Sequence, residues 1–125
     1  MIIKCLIVGV GGAIGTIMRY LLGLIPLNNT NSFPINTFLI NIIGTIAIGF
    51  IVFYAIKSNF DEKLLLFLKV GICGGFTTFS TFAIETGDLL KNGNTTIALT
   101  YVILTVLIGV LAVFLPDILL HNQIN

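Results

Sequence analysis

Apolar residues fill four long runs of this chain, and short polar clusters separate them. The first run covers 2–25 and is broken in polarity only by Lys4 and Arg19. Pro26 and the cluster Asn28, Asn29, Thr30, Asn31 and Ser32 then read as a loop. The second run covers 34–56. Pro34 suits its first helical turn, where a missing N–H costs little, and no charge occurs from Phe38 to Ile56. The stretch 57–63 (KSNFDEK) reads as a charged surface loop. The third run covers 64–90 and ends at the turn residues Lys91, Asn92, Gly93 and Asn94. The fourth covers 96–115, stops at Pro116 and Asp117, and leaves a polar tail with His121, Asn122 and Gln123. A helix crosses the hydrocarbon with about 20 apolar residues, so each run predicts one span. An even number of spans puts both ends of the chain on one side.

Composition narrows the class further. Of 125 residues, 57% are hydrophobic and 9% charged, against about 25% charged in soluble domains. Such a chain has no water-facing surface to offer, so its solvent is lipid and its fold class is all-α integral membrane. Residues 1–125 form a single transmembrane domain on this reading. A net charge of +1 gives no case for nucleic acid. Lys4 followed by an apolar stretch resembles a signal peptide, but the remainder is as hydrophobic as the start, so the segment reads as the first span. Cys5 and Cys73 lie in apolar runs and read as small core-filling residues. His121 has no second ligand near it for a metal. Lys4, Lys57 and Lys63 fall on the side of the termini, Arg19 and Lys91 on the other. Three against two is no clear excess; so weak a bias is what a chain inserted in both orientations would show, with a slight tendency toward termini inside as the alternative.

Several polar and small residues stand where only apolar ones are needed. Gly11, Gly15, Arg19 and Gly23 share one face of the first helix, with Gly11 and Gly15 spaced for close helix packing. A guanidinium near hydrocarbon either snorkels to the interface or faces a watery vestibule. The glycine-rich stretch from Gly9 to Gly15 superficially resembles a dinucleotide loop, but that fingerprint needs a preceding strand, which is missing. In the second helix Thr37, Asn41, Gly44 and Thr45 fall on one face, as interhelical glue or as a donor set for an anion. The third run carries Gly71-Ile72-Cys73-Gly74-Gly75-Phe76-Thr77-Thr78-Phe79-Ser80-Thr81-Phe82 at mid-membrane. Gly74 and Gly75 each cost a helix about 1 kcal/mol relative to Ala, which predicts a break there. A break frees backbone groups that lipid does not tolerate unless they are buried or line a cavity. Phe79 and Phe82 share a face, and aromatic rings have a positive edge as well as a negative face. Glu85, Thr86 and Asp88 follow, and Tyr101, Thr105 and Gly109 make a further stripe on the fourth helix.

Taken together, the blocks Gly11-Gly12-x-x-Gly15-x-x-x-Arg19-Tyr20, Asn36-x-x-x-x-Asn41-x-x-Gly44 and Gly74-Gly75-x-Thr77-Thr78-Phe79-Ser80-Thr81-Phe82 resemble the Fluc (CrcB-type) fluoride channel family. With the four-span length, the resemblance covers the whole chain in order. It implies an antiparallel, dual-topology homodimer in the inner (plasma) membrane, with two fluoride pores. It implies ring edges from Phe79 and Phe82, a hydrogen bond from Asn41, a hydroxyl track including Ser80 and Thr81, and a vestibule lined by Arg19. It also implies a structural sodium ion at the dimer centre, held by the backbone carbonyls of Gly74 and Thr77 from both subunits. The physics agrees: fluoride is strongly hydrated, so a selective pore must replace its water with donors and positive dipole edges. A negative-inside potential drives an anion outward by about 2.3 kcal/mol per charge per 100 mV, so passive export needs no nucleotide site.

Two other classes compete. A small proton-coupled multidrug exporter has this length but needs a carboxylate deep in its first helix, and here Glu85, late in the third, is the one candidate. A non-catalytic membrane subunit of a larger complex would explain the glycine faces but not Asn41 with Phe79 and Phe82. An enzyme is least expected, because no His/Asp/Glu cluster is available for acid–base work.

Overall fold

A computed structural model describes residues 1–27 and 33–120; the polar loop at 28–32 and the tail with His121 lie outside the described residues. Among them the chain is all helical. The elements are α1 (Ile2–Gly23), α2 (Ile35–Ser58), α3 (Glu62–Leu65), a π-helical segment (Leu66–Cys73), α4 (Gly74–Phe76), α5 (Phe79–Lys91), α6 (Thr95–Val113) and α7 (Leu115–Leu120). Four stretches are long and apolar enough to cross a membrane: Ile2–Gly23, Ile35–Ser58, Glu62–Lys91 and Thr95–Val113.

Local chemistry sets the ends. Asn36 Nδ2 donates to the carbonyls of Leu22, Gly23 and Ile25 at 3.1, 3.3 and 2.7 Å. A helix end leaves its last carbonyls without partners, and the start of α2 supplies them to α1. α2 closes on Asn59 in the left-handed region (φ 46°), which Asn tolerates. The Asp61 carboxylate caps α3 by accepting from the Lys63 N–H at 3.0 Å. Pro116 does not end the fourth helix by itself. α6 stops at Val113, and Pro116 sits in the first turn of the short α7, where its ring is accommodated.

The third span is broken, but not at its glycines. Gly74 keeps helical angles (φ −65°, ψ −35°), while Thr77 (φ −74°, ψ 157°) and Thr78 (φ −148°, ψ 117°) are extended. The glycines serve a different need, which is contact between backbones. A Cβ on Gly11 would lie 2.7 Å from the Phe67 carbonyl oxygen, and one on Gly75 would lie 2.5 Å from that of Gly12. A Cβ on Gly15 would run into the Ile72 carbonyl. α1 therefore lies directly against the π segment and α4, while Gly23 on the same face of α1 has open space around it.

The core is small: Phe82, Leu89, Ala98 and Tyr101, flanked by Phe33, Phe38, Ile97 and Val102. Leu6, Val10 and Ile17 on α1 and Leu107 and Leu111 on α6 face outward, as lipid-facing residues should. Lys4 pairs with Glu62, tying α1 to α3 at the end that also holds Ser58 and Val113. Lys69, which the loop charges pass over, lies in the half of the third span nearer that end. It joins Lys4, Lys57 and Lys63 there, so the charge bias is stronger than the loops alone imply.

Gly75→Ala should destabilise the protein by about 1–3 kcal/mol through overpacking. Gly87→Ala, where a Cβ meets nothing within 4 Å, should match or exceed the parent because Ala favours helix. Thermal unfolding in detergent compares the two. Equal midpoints would remove the backbone contact at Gly75 as a packing constraint.

Candidate functional site

The site grows out of the break. Asn41, in the second turn of α2, faces the extended Thr78 and pairs with its peptide on both sides. The Thr78 N–H donates to Asn41 Oδ1 at 2.8 Å, and Asn41 Nδ2 donates to the Thr78 carbonyl at 3.0 Å. The Thr78 hydroxyl then starts α5, accepting from the Thr81 N–H at 3.3 Å. It donates to Thr81 Oγ1 at 3.1 Å and lies 3.3 Å from Ser80 Oγ.

These bonds divert donors that an unbroken helix would use elsewhere. The i+4 partner of the Gly74 carbonyl would be the Thr78 N–H, which goes to Asn41. That of the Thr77 carbonyl would be the Thr81 N–H, which goes to the Thr78 hydroxyl. Both carbonyls lose their helical donors, so both fit the coordination of a hard cation by oxygen. Gly75 differs, because its carbonyl accepts from Arg19 Nε at 3.1 Å and from the Thr16 hydroxyl at 3.4 Å. Among the described residues no cluster of three or more His, Cys, Asp or Glu side chains could hold a metal.

Two cavities meet at Thr78. The wider, about 450 Å³, is lined by Asn41, Gly74, Thr77, Phe79, Phe82 and Thr105, among others. It runs along α2 to Ile48 and along α6 to Val110, toward the membrane face of the chain termini. The narrower, about 300 Å³, lies on the other side of the break and includes Arg19, Asn36, Thr37, Thr81 and Glu85. Thr78 lines both.

The structure thus brings Asn41, Phe79 and Phe82 together in one cavity and Arg19 and Thr81 in the other, while Ser80 lines neither. The Phe79 and Phe82 ring centroids are 5.7 Å apart with planes at 44°. Phe82 is buried against Tyr101, with centroids at 5.0 Å. Phe79, by contrast, is 79% exposed on a single chain. An Asn amide has two N–H bonds, and Asn41 spends one on Thr78, so the other is available to a guest. Thr105 adds a second donor. The hydroxyls of Thr45, Thr77, Thr86 and Thr100 each bond the carbonyl four residues back. Thr105 Oγ1 is buried in the wall without such a partner.

Sequence reasoning treats Glu85 only as a proton carrier and misses its setting. One carboxylate oxygen accepts from the Thr37 hydroxyl at 2.7 Å and the other from the Tyr101 hydroxyl at 2.8 Å. Thr37 and Tyr101 each stand in a polar stripe of the sequence, but nothing local says that both stripes converge on Glu85. Thr78 is likewise part of the sequence block without being marked as the junction.

Asn41→Ala removes both bonds to the Thr78 peptide and leaves part-buried backbone groups unpaired. An unpaired buried group costs about 1–3 kcal/mol, so a thermal midpoint several degrees below the parent is expected in detergent. An unchanged midpoint would mean that the break holds without Asn41.

A sequence profile of the family described as CrcB-like protein, Camphor Resistance (CrcB) matches residues 6–116. The chain is 37% identical over 121 residues to a protein of Azobacteroides pseudotrichonymphae named "Fluoride-specific ion channel FluC", covering 95% of this chain and 97% of that one. It is 44% identical over 113 residues to a protein of the same name from Phocaeicola vulgatus, covering 88% and 92%. It is 45% identical over 109 residues to one from Bacteroides fragilis, covering 83% and 85%.

Proposed function

This chain belongs to the CrcB-like protein family, and from that premise we propose that it is a passive, fluoride-selective channel exporting fluoride from the cytoplasm. It is a multi-pass protein of the inner (plasma) membrane and not an enzyme. The observation that carries the reading is the pair of cavities meeting at Thr78, with spare donors from Asn41 and Thr105 and two phenyl rings in one wall. A dehydrated small anion needs such groups, and the membrane potential supplies the driving force.

Roles follow from position. Phe79 and Phe82 present ring edges, whose partial positive charge suits an anion. Asn41 donates its remaining N–H, Ser80 and Thr81 belong to the hydroxyl track from the break, and Arg19 gives the narrower vestibule a positive wall. A second copy of the chain, inserted antiparallel, supports two pores per dimer. Its supporting observation is Phe79, a large apolar ring left open on one chain beside the wide cavity. The freed carbonyls of Gly74 and Thr77 support a structural sodium ion between the copies, where it would neutralise backbone dipoles that lipid cannot solvate.

Proton-coupled export fits less well. Both oxygens of Glu85 are already engaged by Thr37 and Tyr101, and α1 offers Arg19 rather than a carboxylate.

Purified protein in liposomes should release fluoride rapidly and chloride little, followed with ion electrodes and a potassium ionophore to balance charge. Phe79→Ile and Phe82→Ile should each slow fluoride release about tenfold or more, equivalent to about 1.4 kcal/mol, without dissociating the dimer. Near-normal release from both would remove the ring-edge roles, and no release from the folded parent would overturn the channel itself. Antiparallel insertion predicts that a C-terminal tag is accessible from both sides of the cell membrane; access from one side alone contradicts it.

A further inference from the structure

One cation of the third span is used by none of these roles. Between Lys63 and Glu85 the third span carries one charged side chain, Lys69. It is exposed. The ion pairs among the described residues are Lys4–Glu62 and Lys91–Asp88, so Lys69 has no acidic partner there. Charged side chains inside a span face a partner, a watery cavity or, by snorkelling, the interface.

The helix geometry chooses among these. Lys69 lies in the π-helical segment Leu66–Cys73, whose i→i+5 bonding stacks a residue beneath those four and five further on. For Lys69 these are Cys73 and Gly74, and both line the wide cavity. The backbone follows that pattern, with the Lys69 carbonyl oxygen the nearest atom to a Cβ built on Gly74, at 3.9 Å. The opposite side of the same turn faces α1, where a Cβ on Gly71 would lie 2.9 Å from the Gly11 Cα. Lys69 therefore projects away from α1, on the side of the cavity. The cavity extends from Thr78 toward the membrane face where the third span begins, and Lys69 is in that half. The narrower cavity has Arg19 in its wall; no charged side chain among the described residues lines the wider one, and Lys69 lies one turn before Cys73, the first residue of the third span to line it.

We propose that Lys69 is the anion-attracting cation of the wide cavity, concentrating fluoride at the mouth before it sheds water between Asn41 and the phenyl rings. The proposal rests on the fluoride-channel reading. Its action is long-range electrostatics, so salt must weaken it. At about 0.1 M ionic strength the screening length is roughly 10 Å, and at about 1 M it is roughly 3 Å. A positive wall raises the local anion concentration and the entry rate, with little effect on the dehydration step deeper in.

The test measures fluoride flux at fixed fluoride in liposomes of neutral zwitterionic lipid, with ionic strength set by an impermeant salt. Lys69→Gln should lower flux about threefold at roughly 0.03 M ionic strength, and the gap should close at roughly 1 M. Lys69→Arg should behave as the parent, and Lys69→Met should repeat the loss if the Gln variant assembles poorly. Equal flux for the parent, Gln and Met proteins at low ionic strength overturns the proposal and leaves Lys69 as a snorkelling residue. A loss of the same size at both ionic strengths also overturns it, because a packing defect is not screened. Parent protein without fluoride flux would overturn the channel reading itself, an outcome distinct from both.

Discussion

A chain that stops being helical inside a bilayer must find partners for the peptide groups it frees, since lipid supplies none. Here that requirement falls on Thr77 and Thr78, and one side chain from another span meets most of it. Asn41 pairs with the N–H and the carbonyl of Thr78 at once, much as a neighbouring strand would. The Thr78 hydroxyl then restarts the helix by accepting from the Thr81 N–H. Once α5 begins at Phe79, the register of everything after it is set: Phe79 and Phe82 beside Asn41, Thr81 toward Arg19, and Glu85 between Thr37 and Tyr101. The Gly75 carbonyl at the end of the first half-helix is taken by Arg19, so even the cation in the wall of the narrower cavity is anchored to the interruption.

The second constraint is the approach of α1 to the third span. Gly11, Gly15, Gly71 and Gly75 let backbone lie on backbone, and in lipid such close contact replaces the hydrophobic drive that water would supply. The wide π-helical turn over Leu66–Cys73 belongs to the same contact. It sets Gly71 against Gly11 while aligning Lys69 with Gly74 on the other side. Packing and electrostatics thus share one element.

Hydropathy made the four spans legible, because about 20 apolar residues per crossing is a property of the bilayer rather than of the partners. The interruption of the third span was legible too, but its position was not. Propensity assigns the weak point to Gly74 and Gly75, yet both remain helical, Gly75 with α1 packed on it, and the chain opens at two threonines that propensity treats as ordinary. What decides the matter is Asn41, distant in sequence, and no local pattern reveals a pairing of that kind. The same holds for Glu85, whose two hydroxyl donors come from α2 and α6. Lys69 escaped for a different reason: it falls inside the third apolar run, outside the loop charges that set the bias, and what lies one turn above it depends on the helix being π.

The polar groups differ in how free they are, and that difference bears on mechanism. A transporter that couples protons to cargo needs a carboxylate that changes partners during its cycle. Glu85 is held at both oxygens, Arg19 is held to the Gly75 carbonyl, and Asn41 is held to Thr78, so each is bonded to a different span. The spare donors of the wide cavity, one Asn41 N–H and the Thr105 hydroxyl, are fixed by helices already packed in place. Fixed donors act without reorganising, so on the proposed reading they suit a small anion and commit no step to a moving gate. Selection by a rigid donor set, with passive flow down the potential, is the mechanism that these bonds leave available.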